Sequence, residues 1–166
     1  MITHLKNPKT ETYFKFKEDI WDIDFPWFHN KTSAEGYHPS FFSHSFISRP
    51  DHERKFPSVN SDHTPSPYQI VLETLRYNDI ELNCIFRMNI NLAYPQEGIQ
   101  TTPSHVDHNF PHNNLLIYFT NAGGRTIVED AFHDPQEDDV ISFEGKPHYM
   151  ELPKKDFRIA LVTTYC

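Results

Sequence analysis

Apolar and polar positions alternate most clearly at residues 82–94, where Leu82, Cys84, Phe86, Met88, Ile90, Leu92 and Tyr94 occupy every second place. A period of two puts such side chains on one face of a β-strand, and Pro95 ends the run by removing a ladder donor. Further strand candidates are 105–107, 114–120, 125–129, 140–143, 148–152 and 157–165. Turn residues separate them, at Ala122-Gly123-Gly124, Asp134-Pro135, Gly145-Lys146-Pro147 and Pro153-Lys154-Lys155. Upstream the period changes. Ser66 as cap, Pro67 at the first helical position and the stripe Val71, Leu72, Leu75 predict a helix over about 67–77, closed by Asn78-Asp79. The first 65 residues are weakly periodic, yet Ile23 to Phe28 and Phe41 to Phe46 are too apolar for a linker. They predict irregular structure packed on a core, with short strands at 13–17 and 41–47. Many short strands with regular turns imply a mainly β chain, an antiparallel barrel or jelly roll. The expectation is one domain over 1–166, with residues 1–80 as N-terminal cover and 81–166 as the core.

Composition narrows the function. With 14 Phe, 8 Tyr and 2 Trp the 166-residue chain has ample side chains for a core. A net charge of -8 argues against a phosphate-tracking surface, so no nucleic-acid partner is expected. Cys84 and Cys166 form no CxxC pair, and Cys84 reads as a buried thiol. Residues 1–16 have no apolar centre, and no stretch reaches the ~18 uninterrupted apolar residues of a membrane helix. A soluble, cytoplasmic protein is the expectation.

The chemistry concentrates late in the chain. His105-Val106-Asp107 sets two metal ligands at i and i+2, on one face if the segment is a strand. His148, opening a later strand, supplies a third. Two imidazoles and one carboxylate leave open positions on an octahedral ion, which suits Fe(II) oxygen chemistry. With 11 histidines in the chain the spacing alone is weak, and His133, His63 and His108 compete for the role. Arg158 begins a terminal strand whose even positions, Arg158, Ala160, Val162 and Thr164, share a face. If that face is buried, the guanidinium needs a carboxylate. The distal carboxylate of 2-oxoglutarate would serve, and pairing with Glu151 or Asp156 at the strand end is the plainer alternative.

Together, Ala93-Tyr94-Pro95, His105-Val106-Asp107, Tyr118 to Thr126, His148 and Arg158-Ile159-Ala160 resemble the prolyl-hydroxylase-like branch of the 2-oxoglutarate/Fe(II) oxygenases, over about residues 84–166. The resemblance implies a double-stranded β-helix, the jelly roll of two sheets. It puts His105, Asp107 and His148 in the iron-ligand places, and Arg158 in the place that pairs with the cosubstrate's distal carboxylate. It puts Tyr94 in the place of a tyrosine lining the cosubstrate pocket, and Tyr118 in that of a second donor to the distal carboxylate. The implied reaction consumes O2 and 2-oxoglutarate, releases succinate and CO2, and hydroxylates a small-molecule, amino-acid or peptidyl (for instance prolyl) substrate. Halogenating relatives lack the carboxylate that Asp107 provides, which favours hydroxylation. Two other readings stand beside it. His, His and Asp also suit a zinc-dependent hydrolase, and a non-catalytic jelly-roll binding module would use the same residues to line a ligand pocket. The aromatic N-terminal segments, including Tyr37 to Phe46, read as cover for the barrel more than as substrate wall.

Overall fold

The computed structural model describes residues 1–32, 39–50 and 56–166. In chain order its elements are β1 (Thr3–Leu5), α1 (Glu11–Asp19), β2 (Phe28–Asn30), β3 (Phe41–Ser48), β4 (Ser58–Val59) and α2 (Pro65–Tyr77). There follow β5 (Ile85–Ala93), β6 (Asn113–Tyr118), β7 (Thr126–Val128), β8 (Ala131–His133), β9 (Val140–Glu144), β10 (His148–Met150) and β11 (Arg158–Tyr165). The larger sheet has eight strands, in the order β1-β9-β6-β11-β5-β3-β2 with β4 on β3, and the smaller runs β10-β7-β8. Every named pairing is antiparallel. The two sheets stack as a jelly roll, with both helices on the outer face of the larger sheet.

Strand alternation divides the apolar side chains between two cores. Ile117, Phe119, Ile159, Leu161, Met88, Ile90 and Leu92 face the helices and meet Tyr13, Phe16, Ile70, Val71 and Leu75. Leu116, Tyr118, Ile141, Phe143 and Ala160 face the other way and enclose Val128 of the smaller sheet. The Tyr13 ring stacks on Phe119 at 5.5 Å. Fully burying each large apolar side chain contributes ~1.5–3 kcal/mol, so the helix-side core holds the cover firmly to the sheet.

Several local expectations need correction. Residues 13–17 are helical. The Thr10 hydroxyl accepts from the Tyr13 backbone N–H at 3.3 Å, and Tyr13, Phe16 and Ile20 then form one buried helical face. Residues 41–47 do form a strand, which pairs with β5 in mid-sheet. The cap of α2 is Thr64 rather than Ser66, and the helix opens at Pro65. The Thr64 hydroxyl makes no cap bond, turning instead to the carbonyls of Ser61 and Phe46. In β5 a register shift opposite Thr164 and Tyr165 inserts one residue, so Ile85, not Phe86, joins the helix-side core. Leu82 and Cys84 precede the strand, and Leu82 still packs against the helix-side core. Cys84 is half-buried, and β8 and the edge strands β1 and β2 were not legible as strands. Tyr37, His38 and His52 lie outside the described residues.

Helix α1 is tied to the turn before β9 by Asp138. Its Oδ1 accepts from the Tyr13 hydroxyl and from Lys17 Nζ, both at 2.6 Å, and Lys9 Nζ lies 2.8 Å from Oδ2. Burial works to raise the Asp138 pKa, but the bonds from Lys17, Lys9 and Tyr13 outweigh it and lower it from 3.8 to about 2. A depressed carboxyl stabilises the fold above its unfolded pKa, and the contribution fades as pH falls through the folded value. Urea midpoints of the wild type should therefore drop more steeply between about pH 4 and about pH 2 than those of Asp138→Asn. Parallel pH profiles would show that Asp138 contributes nothing to this acid sensitivity.

Candidate metal centre

His105, Asp107 and His148 come together, each offering a ligand atom within 4.8 Å of the others. His148 opens β10, and His105 lies beside it through a reciprocal backbone bridge, His105 N to His148 O at 3.0 Å and His148 N to His105 O at 2.9 Å. The bridge is isolated, and residues 105–107 form no strand. What places His105 is therefore the edge of the smaller sheet, whose β10 it borders. Asp107 then turns inward and is 6% exposed, in contrast with its neighbour Val106 at 43%.

Hydrogen bonding leaves these three side chains short of one cation. The Nδ1 of His148 meets the Lys146 carbonyl at 2.9 Å, and that of His105 meets the Pro103 carbonyl at 3.2 Å. A carbonyl can only accept, so each ring carries its proton on Nδ1 and keeps a lone pair on Nε2. Asp107 Oδ1 is taken by Arg87 NH1 at 2.7 Å, while its buried Oδ2 has no hydrogen bond. Oδ2 sits 3.4 Å from His148 Nε2, close to the ~3 Å between neighbouring ligands bound ~2.1 Å from one ion. A buried lone pair facing a carboxylate oxygen is costly without a positive partner, and a divalent ion fits this donor set. Burial acts to raise the Asp107 pKa, but the charge of Arg87, then of His148, His105 and Arg49, holds it below the ordinary value. Burial lowers the pKa of His148 despite the Lys146 carbonyl and Asp107, which favours the neutral ligand form.

A cavity of about 380 Å³ between the sheets holds the triad and runs to Arg158. Arg158 is 5% exposed. Its Nε donates to the Gly124 carbonyl at 3.0 Å, and its NH2 to Thr126 Oγ1 at 2.9 Å. NH1 lies 3.2 Å from the Met150 sulfur. Among the described residues no carboxylate pairs with it: Glu151 is engaged by Arg125 in a two-point bond, at 2.9 and 2.6 Å. Gly124 permits this approach. At φ +82° a Cβ there would lie 2.7 Å from the Glu151 carbonyl and 3.1 Å from Arg158 Cδ.

No protein-family model matches the chain, and no curated protein matches it. Solved structures do. An oxidoreductase of the 2OG-Fe(II) oxygenase family from Burkholderia pseudomallei superposes with a TM-score of 0.72 at 14% identity, over 99% of this chain and 84% of that one. The fold is that of the 2-oxoglutarate/Fe(II) oxygenases. A prolyl hydroxylase from Trichoplax adhaerens, solved with a hypoxia-inducible-factor peptide, matches this oxygenase fold with a TM-score of 0.62 at 11% identity, over 99% and 82%. A non-haem α-ketoglutarate-dependent carbocyclase from nogalamycin biosynthesis matches with 0.62 at 13%, over 99% and 78%.

Within this oxygenase fold two tyrosines sit differently from expectation. Tyr94 shares the phase of Ile90 and Leu92, so its ring packs on the helix-side core and its hydroxyl bonds Ser40 Oγ. The cavity wall at this level is Ala93 and Asn91. Tyr118 is fully buried behind the cavity, its ring 5.1 Å from the Arg158 guanidinium carbon and its hydroxyl 2.7 Å from Thr126 Oγ1. Neither tyrosine lines the cavity. His133 is also elsewhere, on β8 with its Nε2 3.2 Å from Asp139. His108 bonds Thr164 Oγ1 at 2.8 Å and stacks on Phe110, and burial first, with His112 next, lowers its pKa to about 4. The N-terminal segment does reach the site, through Pro39, Ser40, Phe41 and Arg49. Arg87, Arg49 and Thr126 were missed. Arg87 belongs to the polar half of the β5 alternation, with Asn89 and Asn91, and that half was the available signal. No helix among the described residues is long and apolar enough to cross a membrane.

Proposed function

We propose that the protein is an Fe(II)- and 2-oxoglutarate-dependent dioxygenase that hydroxylates a small-molecule, amino-acid or peptidyl substrate and releases succinate and CO2. The observation that carries this reading is Arg158, a buried guanidinium with only neutral partners, in the same cavity as the triad. A buried cation without a counter-ion is expensive, and a dicarboxylate cosubstrate supplies one. A zinc hydrolase needs no such cation, and a binding module needs no facing lone pairs at Asp107 and His148.

His105, Asp107 and His148 would hold the iron, which with 2-oxoglutarate supplies the means to activate O2 for C–H oxidation. The chain's own residues position. The backbone carbonyls of Pro103 and Lys146 orient the imidazoles, and Arg87 holds one carboxylate oxygen so that the other points at the metal place. Arg158 anchors the distal carboxylate, and Leu116, Val162 and Leu152 exclude water from the cavity between. Tyr118 acts one step back. If its hydroxyl donates to Thr126 Oγ1, which already accepts from Arg158, the Thr126 proton is free to bond the carboxylate.

Anaerobic titration with Fe(II) and then 2-oxoglutarate, followed by succinate release under O2, tests the reading. Saturable iron binding with no cosubstrate binding would overturn it. The Thr126 relay predicts a graded series. Thr126→Val should weaken 2-oxoglutarate binding about tenfold or more, the size of a charge-assisted bond. Tyr118→Phe should weaken it less, since it removes only the orienting partner. Calorimetry would sink the relay if Tyr118→Phe cost more than Thr126→Val.

A further inference from the structure

The cavity has two ends, set by the pairing of β5 with β11. Along this ladder Arg158 lies opposite Ala93, Ala160 opposite Asn91, Val162 opposite Asn89, and Thr164 opposite Arg87. Six residues of strand separate the Arg158 end from the Arg87 end, about 20 Å at ~3.3 Å per residue. The triad borders the Arg87 end, where Arg87 NH1 holds Asp107 Oδ1 at 2.7 Å, and a cosubstrate reaching from the metal to Arg158 runs away from that end. That end carries a second cation. Arg49, just past the end of β3, also lines the cavity, and its NH1 donates to the backbone carbonyl of Asp107 at 3.3 Å.

The charges at the two ends do not balance. Besides the triad histidines, the titratable side chains lining the cavity are Arg49, Arg87, Arg158, Asp107 and Tyr149. Arg158 is neutralised by the distal carboxylate of 2-oxoglutarate. A divalent iron is neutralised by Asp107 together with the cosubstrate's other carboxylate. Arg87 keeps its bond to Asp107 Oδ1 at 2.7 Å, but that single carboxylate is shared with the metal. The end at Arg49 and Arg87 therefore carries a net surplus of two positive charges, and among the described residues no second carboxylate lines the cavity. This surplus stands in a chain with 23 acidic and 15 basic side chains, so it is not a general property of the surface. The side chain of Arg87 is only 22% exposed, and bulk water does little for it, while Arg49 is exposed and open to an incoming molecule.

On the reading that this is a 2-oxoglutarate oxygenase, we infer that its substrate is a small free carboxylic acid, of the amino-acid class, whose carboxylate docks on Arg49 and Arg87. The size of the site agrees. A cavity of about 380 Å³ lies at the lower end of the ~300–1,000 Å³ usual for small-molecule sites, and the cosubstrate takes part of it. Asn91 and Ser104 add neutral polar groups for the remainder of the molecule, while Pro103, Val106 and Phe41 give apolar wall. A mid-chain prolyl residue brings no charge to this end.

Calorimetry on protein loaded with Mn(II), as a redox-silent stand-in for iron, and 2-oxoglutarate tests the inference. The probes are the free L-amino acids and short mono- and dicarboxylic acids, each beside its carboxamide, and a capped prolyl peptide. At least one free acid should bind, with its carboxamide weaker by about ten- to a hundredfold, the range for losing a charge-assisted bond. Arg49→Gln should abolish that preference, and Arg49→Lys should keep part of it, with Mn(II) and 2-oxoglutarate binding intact in both. If carboxamides or the capped peptide bind as well as the acids, or no acid binds, or Arg49→Gln changes nothing, the inference fails. Absence of 2-oxoglutarate binding in the first titration would instead remove the oxygenase reading beneath it.

Discussion

His148→Ala should lose Fe(II) affinity by more than about a hundredfold and abolish 2-oxoglutarate turnover, whereas His133→Ala should change neither. Altering even an outer-shell partner of a metal ligand costs ~10–100-fold, and His148 supplies a donor atom itself. Its Nε2 is the lone pair facing Asp107 Oδ2 at 3.4 Å. Without that imidazole, Asp107 and His105 remain as a two-point site, and water must take the vacated place. His133 is the apt control because it is also a buried histidine beside an acidic group, at 5% exposure. Its loss should cost stability through packing against Tyr118 and His4 without touching the metal place. Metal content of the folded variants, checked by circular dichroism, decides between them. Iron loss in His133→Ala with retention in His148→Ala would overturn the ligand assignment.

Arg158→Ala should raise the dissociation constant for 2-oxoglutarate by several hundred-fold while Fe(II) still binds. Removing one partner of a buried ion pair costs ~3–5 kcal/mol, and each 1.4 kcal/mol is tenfold. The effect splits from that of His148 because Arg158 touches none of the three metal-binding side chains. Part of it comes through the Gly124 turn, since Arg158 Nε holds that carbonyl at 3.0 Å. Arg158→Lys separates the two contributions. It keeps the charge but loses the fork that reaches both Gly124 and Thr126, and should fall between wild type and alanine. Anaerobic calorimetry with 2-oxoglutarate is the measurement, and an unchanged constant in Arg158→Ala would remove the case for this cosubstrate.

Which parts of this were legible follows from the range over which each signal acts. Strand β5 declares itself by alternation, whereas β6, β9 and β11 are buried on both faces and show as short, nearly continuous apolar runs between turns. The even face of β11 was correctly set apart, and it carries Arg158 into the cavity. Helix α1 was misread because Tyr13, Phe14 and Phe16 fit either period. Its phase is decided by Phe119 and Phe46 across the core, with Thr10 closing the first turn. The edge strands β1 and β2 are three residues each, too short to show any period.

The sequence by itself determined a mainly β chain of barrel or jelly-roll type with a covering helix, a His-x-Asp segment with several candidate third histidines, and an arginine at the start of the last strand, whose direction it left open. Each of these rests on local periodicity or on residue chemistry. Tertiary structure alone decided the rest. The bulge in β5 put Ile85 rather than Phe86 in the helix-side core. The choice of which β5 face meets the helices sent Tyr94 there and left Ala93 and Asn91 on the cavity wall. The turn at Gly124 brought Thr126 between Arg158 and Tyr118, so the tyrosine acts through a threonine. The pairing of β3 with β5 delivered Arg49 to the backbone of Asp107, 58 residues away in the chain. Such contacts depend on register and on the path of turns between distant segments, and no pattern within a single segment encodes them.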